Sequence, residues 1–484
     1  MALSDDMRET GTPLPTPVVF SELADHLRRN ETIADIHIKA ARNAIVGTLS
    51  ALPNFSFAHF DGMERPFKDV LIRYLSRRLP LDKRLEQSLT NLRRALLFHV
   101  ADGAQISDDG LDLLAALAIF CFDREYVFWE TPEEYAAVKK LNLYAGPSHV
   151  AAIACYRALH TLHEPTWLLD AMPSSERFAN MLRVQLTEPI EERRIASDIR
   201  ELSPIKDPTS MAVRQMYEEN PYPRWTDIGD VELIANPRHL RVLFAGCGSG
   251  RQPNGFARAN RRADITALDL SRASLAYGIR KSREYGFTNI EFVHGDILEL
   301  PQSGLEFDFI ATTGVLHHMK SPLEGLRALG AVLAADGVIE IALYSEIGRR
   351  RLLPAIRWRE TAGFPATAEG IRSLRRAVFS APPGLPIQDA ALFPDFYSMS
   401  DCRDMLFHVQ EHRFNLQQVG ELVQNAGLVL REIAVSKKVG DKYRDSLPAG
   451  LDPDIEAWSR FEAAHPDAFT NMYRIAATKP VLSR

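Results

Sequence analysis

The sequence predicts an α/β protein. Its core is a doubly wound, mostly parallel sheet, with a separate all-helical domain before it and a helical cap inserted near its end. Three observations carry this reading. Apolar strand-like runs alternate with helical patterns between residues 239 and 345, the signature of parallel strands joined by crossover helices. The first run, Val242-Leu-Phe244, opens into Gly246-Cys-Gly-Ser-Gly250, where missing Cβ atoms let backbone N–H groups approach a ligand. Acids then close the next two runs, at Asp269 and Asp296. Ligands of such sheets sit outside the carboxyl ends of the strands, and these polar features all fall there.

Taken in order, residues 1–20 are polar and dotted with proline, and read as a flexible leader. Residues 21–200 read as the helical domain. Leu85, Leu89, Leu92, Leu96 and Leu97 recur at helical spacing, and helical character continues over 111–122 and 150–162. Phe122, Tyr126, Phe128 and Trp129 form an aromatic cluster expected in its core. Residues 201–238 read as a linker and pocket strap. Pro221 and Pro223 favour an extended path there, with Tyr222 and Trp225 fastening the strap and Tyr217 or Asn220 lining the pocket.

The sheet core covers 239–345. Its strands are expected at 242–244, 265–270, 290–297, 307–318, the last opening into Thr313, Gly314 and two histidines, and 338–343, with helices at 272–285 and 322–333 and a turn at Asp336-Gly337. Residues 346–412 interrupt the pattern and read as the cap. In 413–484, Asn415 caps a helix that Gly427 ends, followed by strands at 428–434 and 472–477.

The apolar content of 46% and charged content of 25% are those of an ordinary globular protein. A net charge of −6 argues against phosphate-driven nucleic-acid binding, which needs a strongly basic face. The apolar run 111–122 is shorter than the roughly 20 residues a membrane span needs. Cys121, Cys155, Cys247 and Cys402 are scattered and without a C-x-x-C pair, as expected of buried thiols in the cytoplasm. A dinucleotide site is disfavoured. Arg251 stands where the last glycine of G-x-G-x-x-G would be, and no second half of such a fold follows.

Residues 239–345 resemble the core of class I S-adenosylmethionine-dependent methyltransferases. The residues that carry the likeness are Ala245-Gly-Cys-Gly-Ser-Gly250, Ala267-Leu-Asp-Leu-Ser271, Gly295-Asp-Ile-Leu298 and Gly314-Val-Leu-His-His-Met319. The resemblance implies a Rossmann-like seven-stranded sheet with an antiparallel edge, and S-adenosylmethionine as cofactor. It places the turn of Ala245, Gly246, Cys247, Gly248 and Gly250 against the methionine part of the cofactor. It assigns Asp269 to the ribose hydroxyls and Asp296 to the adenine amino group, with Leu270, Ile297 and Thr313 beside them. One position departs. The family often has an acid where this chain has Phe244, so the methionine amino group needs another partner. From about 90 to 475 the chain also resembles bacterial proteins that carry this domain, often beside tetratricopeptide repeats. The residues are Met216-Tyr-Glu-Glu-Asn-Pro-Tyr-Pro-Arg-Trp225, Arg124-Glu-Tyr-Val-Phe128, Asp395-Phe-Tyr-Ser398 and His408-Val-Gln-Glu-His412.

Methyl transfer needs donor and acceptor held in line, and some acceptors need a base. His317 and His318 end the fourth run and are candidate bases. Tyr397, His408 and Glu411 in the cap are candidates to orient or deprotonate the acceptor. His408-x-x-Glu-His412 also matches an inverted zinc-protease motif, but a third ligand is not evident and no metal is expected. The arginines at 349, 350, 351, 357, 359, 372, 375 and 376 read as a solvated helix face, or as a site for an acidic acceptor. The expected partner is an unidentified acceptor, protein or small molecule. RNA is the less favoured acceptor, and a non-catalytic cofactor-binding module is the alternative from another class. Oligomeric state is not legible.

Overall fold

Eight strands form one sheet: β1 (Arg200–Glu201), β2 (Arg241–Ala245), β3 (Asp264–Asp269), β4 (Ile290–His294), β5 (Phe307–Thr313), β6 (Leu333–Tyr344), β7 (Val429–Ala434) and β8 (Met472–Thr478). They lie in the order β1-β4-β3-β2-β5-β6-β8-β7. These come from a computed structural model, which describes residues 35–52, 54–170, 175–219, 221–228, 239–446, 454–469 and 472–480. The leader expected at 1–20 and Asn220 lie outside the described residues.

The six strands β1 to β6 run parallel, and β8 and β7 add the antiparallel edge. β2 pairs with β3 on one side and β5 on the other, so the chain reverses its winding direction at β2. That switch point leaves a crevice above the carboxyl end of β2, where the glycine turn begins. The expected seven strands become eight because Arg200 and Glu201 pair with Val293 and His294 of β4. Two residues are too few to leave a periodic signal. The turn expected at Asp336-Gly337 is instead taken into β6, where the register with β5 shifts between Leu333 and Val338.

Apolar clusters cover both faces of the sheet, one including Leu243, Leu268, Ile310 and Ile341, the other Val242, Phe244, Ala267 and Phe292. This two-sided burial is why the parallel strands read as continuous apolar runs. The helix Arg272–Glu284 is capped by Ser271, whose side chain accepts from the Ser274 N–H, and Leu416–Asn425 opens on the capping box of Asn415 and Gln418.

By contacts the chain divides into two units. One gathers Met1–Ile190, Thr367–Ser380 and Ala391–Met399; the other gathers Glu191–Ala366, Ala381–Ala390 and Ser400–Arg484. The first is helical among its described residues. Leu85, Leu89, Leu92, Leu96 and Leu97 are all buried in Lys83–Ala101, and Asp108–Asp123 is buried on nearly every side. Phe122 and Phe128 are core residues, as their composition suggested. The segment read as one cap, 346–412, is shared between the units. Helix Ala368–Ser380 buries Ile371, Leu374 and Val378, and Arg375 pairs with Glu86 at 2.5 Å inside the first unit. Among the described residues no helix is long and apolar enough to cross a membrane.

Candidate active site

The second unit holds a cavity of about 370 Å³ at the carboxyl ends of β2, β3, β4 and β5. Its floor is the glycine turn. Gly246 has φ +72°, and a Cβ there would run into the Val315 side chain. Gly248 has φ +54°, and a Cβ there would lie 2.5 Å from the Tyr222 carbonyl oxygen. Only glycine meets both the left-handed backbone and the close approach.

Asp269 ends β3 beside this turn. One oxygen accepts from the Gly248 N–H at 2.7 Å, the other from the Ser271 N–H at 2.9 Å. Burial pushes its pKa up to about 6, against the opposing pull of those N–H bonds. Asp296 follows β4, is 3% exposed, and accepts from the Leu298 N–H at 3.0 Å. Cys247, Leu270, Ile297 and Thr313 also line the cavity, with Gly246 and Gly248. Ala245 and Gly250 do not. Ala245 is turned into the sheet core, and Gly250 closes the turn as the N-cap of Arg251–Ala259, packed near Phe292 and Gly278. A consecutive run of residues cannot point every side at one ligand.

The strap crosses one wall. Tyr217 ends the helix Pro208–Glu218, and Tyr217 and Tyr222 stack with centroids 5.0 Å apart, both lining the cavity. The Tyr222 carbonyl accepts from the Ser249 N–H at 2.7 Å, and the Trp225 indole donates to the Ser249 carbonyl at 3.0 Å. The strap is therefore both fastened to the turn and part of the pocket.

The lining also includes His318, Tyr344 and Asp404. His318 lies in the short turn Leu316–His318 after β5. Its Nδ1 is 2.8 Å from the Gln410 carbonyl oxygen, so Nδ1 carries a proton and Nε2 keeps a lone pair. That Nε2 is 3.8 Å from Asp404. Burial lowers the His318 pKa, so the ring is neutral near pH 7. His408 accepts the Gln410 N–H on Nδ1 at 3.1 Å, which leaves its proton on Nε2, 3.2 Å from the Tyr217 hydroxyl. Tyr217 in turn donates to Asp404 at 2.5 Å. Burial holds His408 down to about 4.

The other predicted acceptor-side residues part company. His317 is fully buried and stacks on Tyr344 at 3.8 Å, away from the cavity lining. Glu411 accepts from Arg349 at 2.5 Å and is a structural ion-pair partner. Tyr397 belongs to the first unit, where its hydroxyl donates to the Ala391 carbonyl at 2.8 Å. His408 reaches the site only through His318 and Tyr217. The helix Met399–Phe407 stops before His408, so His408 and His412 do not share a helix face as a zinc motif requires. His412 instead donates its backbone N–H to the His317 carbonyl at 2.7 Å.

His318, Asp404 and His408 do converge within 4.8 Å. Their geometry is poor for a metal. The two imidazoles lie face to face, 3.5 Å apart and 17° from parallel, so their lone pairs do not converge, and the His408 Nε2 carries a proton. Asp404 belongs to the polar stretch 395–412 that the sequence offers as acceptor-site lining, but Tyr344 is not legible there, because only folding brings 217, 344 and 404 together. Much of the arginine run is engaged by protein groups: Arg349 with Glu411, Arg351 with Asp389, Arg375 with Glu86, and Arg372 with the Tyr126 carbonyl.

Residues 237–363 match the family model described as a methyltransferase domain. They are a class I methyltransferase domain. The match spans β2 to β6 and therefore the glycine turn, Asp269, Asp296 and His318. The domain class is the S-adenosylmethionine-dependent one, and the donor set fits that cofactor: a glycine floor open to backbone approach, carboxylates at the ends of β3 and β4, and enough volume for a ligand of that size.

Beyond the domain, the chain is 32% identical over 196 residues to an uncharacterized protein of Synechococcus, covering 39% of this chain and 47% of that one. It is 29% identical over 117 residues to a demethylmenaquinone methyltransferase of Bacillus subtilis, covering 24% of this chain and 50% of that enzyme. The chain thus spans about half the length of the curated relatives it matches. Among solved structures it is similar to PKMT2 from Rickettsia typhi, at 14% identity and TM-score 0.39, over 57% of this chain and 53% of that one.

Proposed function

We propose that the protein is an S-adenosylmethionine-dependent methyltransferase acting on a small molecule or a protein. The observation that carries this reading is one cavity with two chemically different sets of lining groups: Gly246, Gly248, Asp269 and Asp296, and the neutral imidazole of His318. Asp269 receives the ribose hydroxyls and Asp296 the adenine amino group. Bound there, the cofactor supplies a methyl group already activated by the sulfonium charge. The chain's own task is to hold the acceptor in line and to take its proton. His318 Nε2 is the acceptor for that proton, and the Gln410 carbonyl bonded to Nδ1–H fixes the tautomer. The four buried, free cysteines suit a reducing compartment, the cytoplasm.

Isothermal titration with S-adenosylhomocysteine tests the cofactor site, and transfer of labelled methyl groups into a lysate of the source organism tests catalysis. His318→Ala is expected to lower labelled transfer by about 10²-fold or more, the usual worth of a positioned base. Its affinity for S-adenosylhomocysteine should stay near wild type. Full transfer by a folded His318→Ala protein would remove His318 as the base. Binding with no transfer into any acceptor would favour a non-catalytic module.

The raised pKa of Asp269 sets a pH dependence. The carboxylate is ionised above about 6, and only then do both oxygens accept with full charge. As pH falls through about 6 it takes a proton and that charged acceptor is lost. Affinity for S-adenosylhomocysteine is therefore expected to fall between about pH 7.5 and 5.5, and the decline should vanish in Asp269→Asn. A flat titration in the wild type would contradict the ribose assignment.

A further inference from the structure

Asp404 has no part in the cofactor and base assignments above, yet it is a carboxylate set into the cavity wall. It projects from the helix Met399–Phe407 and is 6% exposed. Its partners are neutral donors. Oδ1 accepts from the Tyr217 hydroxyl at 2.5 Å, and Oδ2 from the Tyr344 hydroxyl at 3.3 Å. Burial pushes the Tyr217 hydroxyl far above its ordinary value, so it stays a donor. Burial alone would raise Asp404, but the hydrogen bond from Tyr217 and the nearby Arg349 charge outweigh it and hold the carboxyl below its ordinary range, so it is ionised. Among the described residues, no lysine or arginine nitrogen is paired with it; the one recorded ion-pair contact is His318 at 3.8 Å, which is neutral near pH 7. The nearby Arg349 lies over the Tyr344 ring at 4.0 Å and is already bonded to Glu411 at 2.5 Å.

A buried carboxylate whose hydrogen bonds come from neutral hydroxyls, and whose nearest cation is already bonded to Glu411, is incompletely compensated, which is costly. Here it faces a cavity lined by Tyr217, Tyr222 and Tyr344. Carboxylate and aromatic faces together attract an organic cation and hold it out of water. We propose that Asp404, with the Tyr217 and Tyr222 rings, forms a subsite for an ammonium group; the Tyr344 ring is covered by His317 and Arg349 and contributes its hydroxyl to Asp404. Two sources offer that chemistry: the amino group of the cofactor's methionine part, or an amine acceptor. An amine acceptor would arrive as its ammonium, give its proton to His318 Nε2, and then form an N–C bond to the methyl carbon with the freed lone pair as the S–C bond breaks, its electron pair staying on sulfur and S-adenosylhomocysteine leaving. The proposal rests on the reading of this cavity as the cofactor site.

The test uses the full chain, wild type and Asp404→Asn, with S-adenosylhomocysteine, with 5′-methylthioadenosine, which lacks the amino-acid end, and with n-butylammonium added to the S-adenosylhomocysteine complex. The asparagine keeps an oxygen for Tyr217 while removing the charge, and methylthioadenosine binding reports an intact pocket. If the cation is the cofactor's own, Asp404→Asn weakens S-adenosylhomocysteine tenfold or more and leaves methylthioadenosine unchanged. If it is the acceptor's, both nucleosides bind the variant normally, and butylammonium binding, read by NMR line broadening, is lost. Equal losses for both nucleosides, or no change in any of the three, overturn the subsite while the cofactor reading stands. A wild-type protein that binds neither nucleoside overturns the cofactor reading and the subsite together.

Discussion

Asp269→Ala is expected to damage the site twice. On the proposed assignment the side chain takes the ribose hydroxyls, and its loss leaves those hydroxyls unmet in a buried pocket, at a cost of roughly 1–3 kcal/mol of binding. The same carboxylate accepts from the Gly248 and Ser271 N–H groups. Alanine leaves these two donors without their partner as well, each at about 1–3 kcal/mol of stability. The expected result is a fall of one to two orders of magnitude in S-adenosylhomocysteine affinity, together with a lower urea midpoint. Calorimetric titration and urea unfolding of the same preparation read the two effects separately. Unchanged affinity in a folded variant would remove Asp269 from the cofactor site. A binding loss with no stability loss would mean the turn holds without it.

Glu411→Ala is expected to act on stability. The Arg349 guanidinium is nearly buried, donates to the Met405 carbonyl at 3.1 Å, lies on Tyr344, and depends on Glu411 for its counter-charge. Removing one partner of a buried pair typically costs about 3–5 kcal/mol, because the other charge remains without compensation. Replacing both partners, as in Arg349→Met with Glu411→Ala, should recover much of that loss. Urea unfolding of the two single variants and the double variant checks this. Should Glu411→Ala keep wild-type stability but lose labelled methyl transfer, Glu411 would belong to the acceptor after all, as its place in the sequence first suggested. The pair also anchors the segment that carries His408 and Gln410. A loosened segment would release the Gln410 carbonyl from His318, so part of any activity loss would be indirect.

The reading of Tyr397, His408 and Glu411 as one cap cluster shows where sequence reasoning fails. All three lie within a polar stretch of 395–412, but nearness in sequence is not nearness in space. Folding sends Tyr397 to the helical unit, turns Glu411 toward Arg349, and leaves His408 against His318. The arginine run has a similar history. Its spacing suggested a solvated face or an anion site, but Arg375 and Arg349 are buried counter-charges for acids far away in the chain.

The sequence by itself determined the sheet and the glycine and acid lining of the cavity. Those features are local. A strand buried on both faces must be apolar along its length, a left-handed turn under a close wall must be glycine, and each acid follows its strand directly. The residues from Val242 to Asp296 therefore announce themselves in order, and the switch point at β2 places them around one crevice. The sequence offered His318 and Tyr217 one by one, but only the tertiary structure decided what surrounds them. Tyr217, His318, Tyr344 and Asp404 come from the strap, the turn after β5, the end of β6 and the helix Met399–Phe407. No period or spacing links them. Their tautomers, charges and hydrogen bonds are set by burial and by one another, and those exist only once the chain has folded.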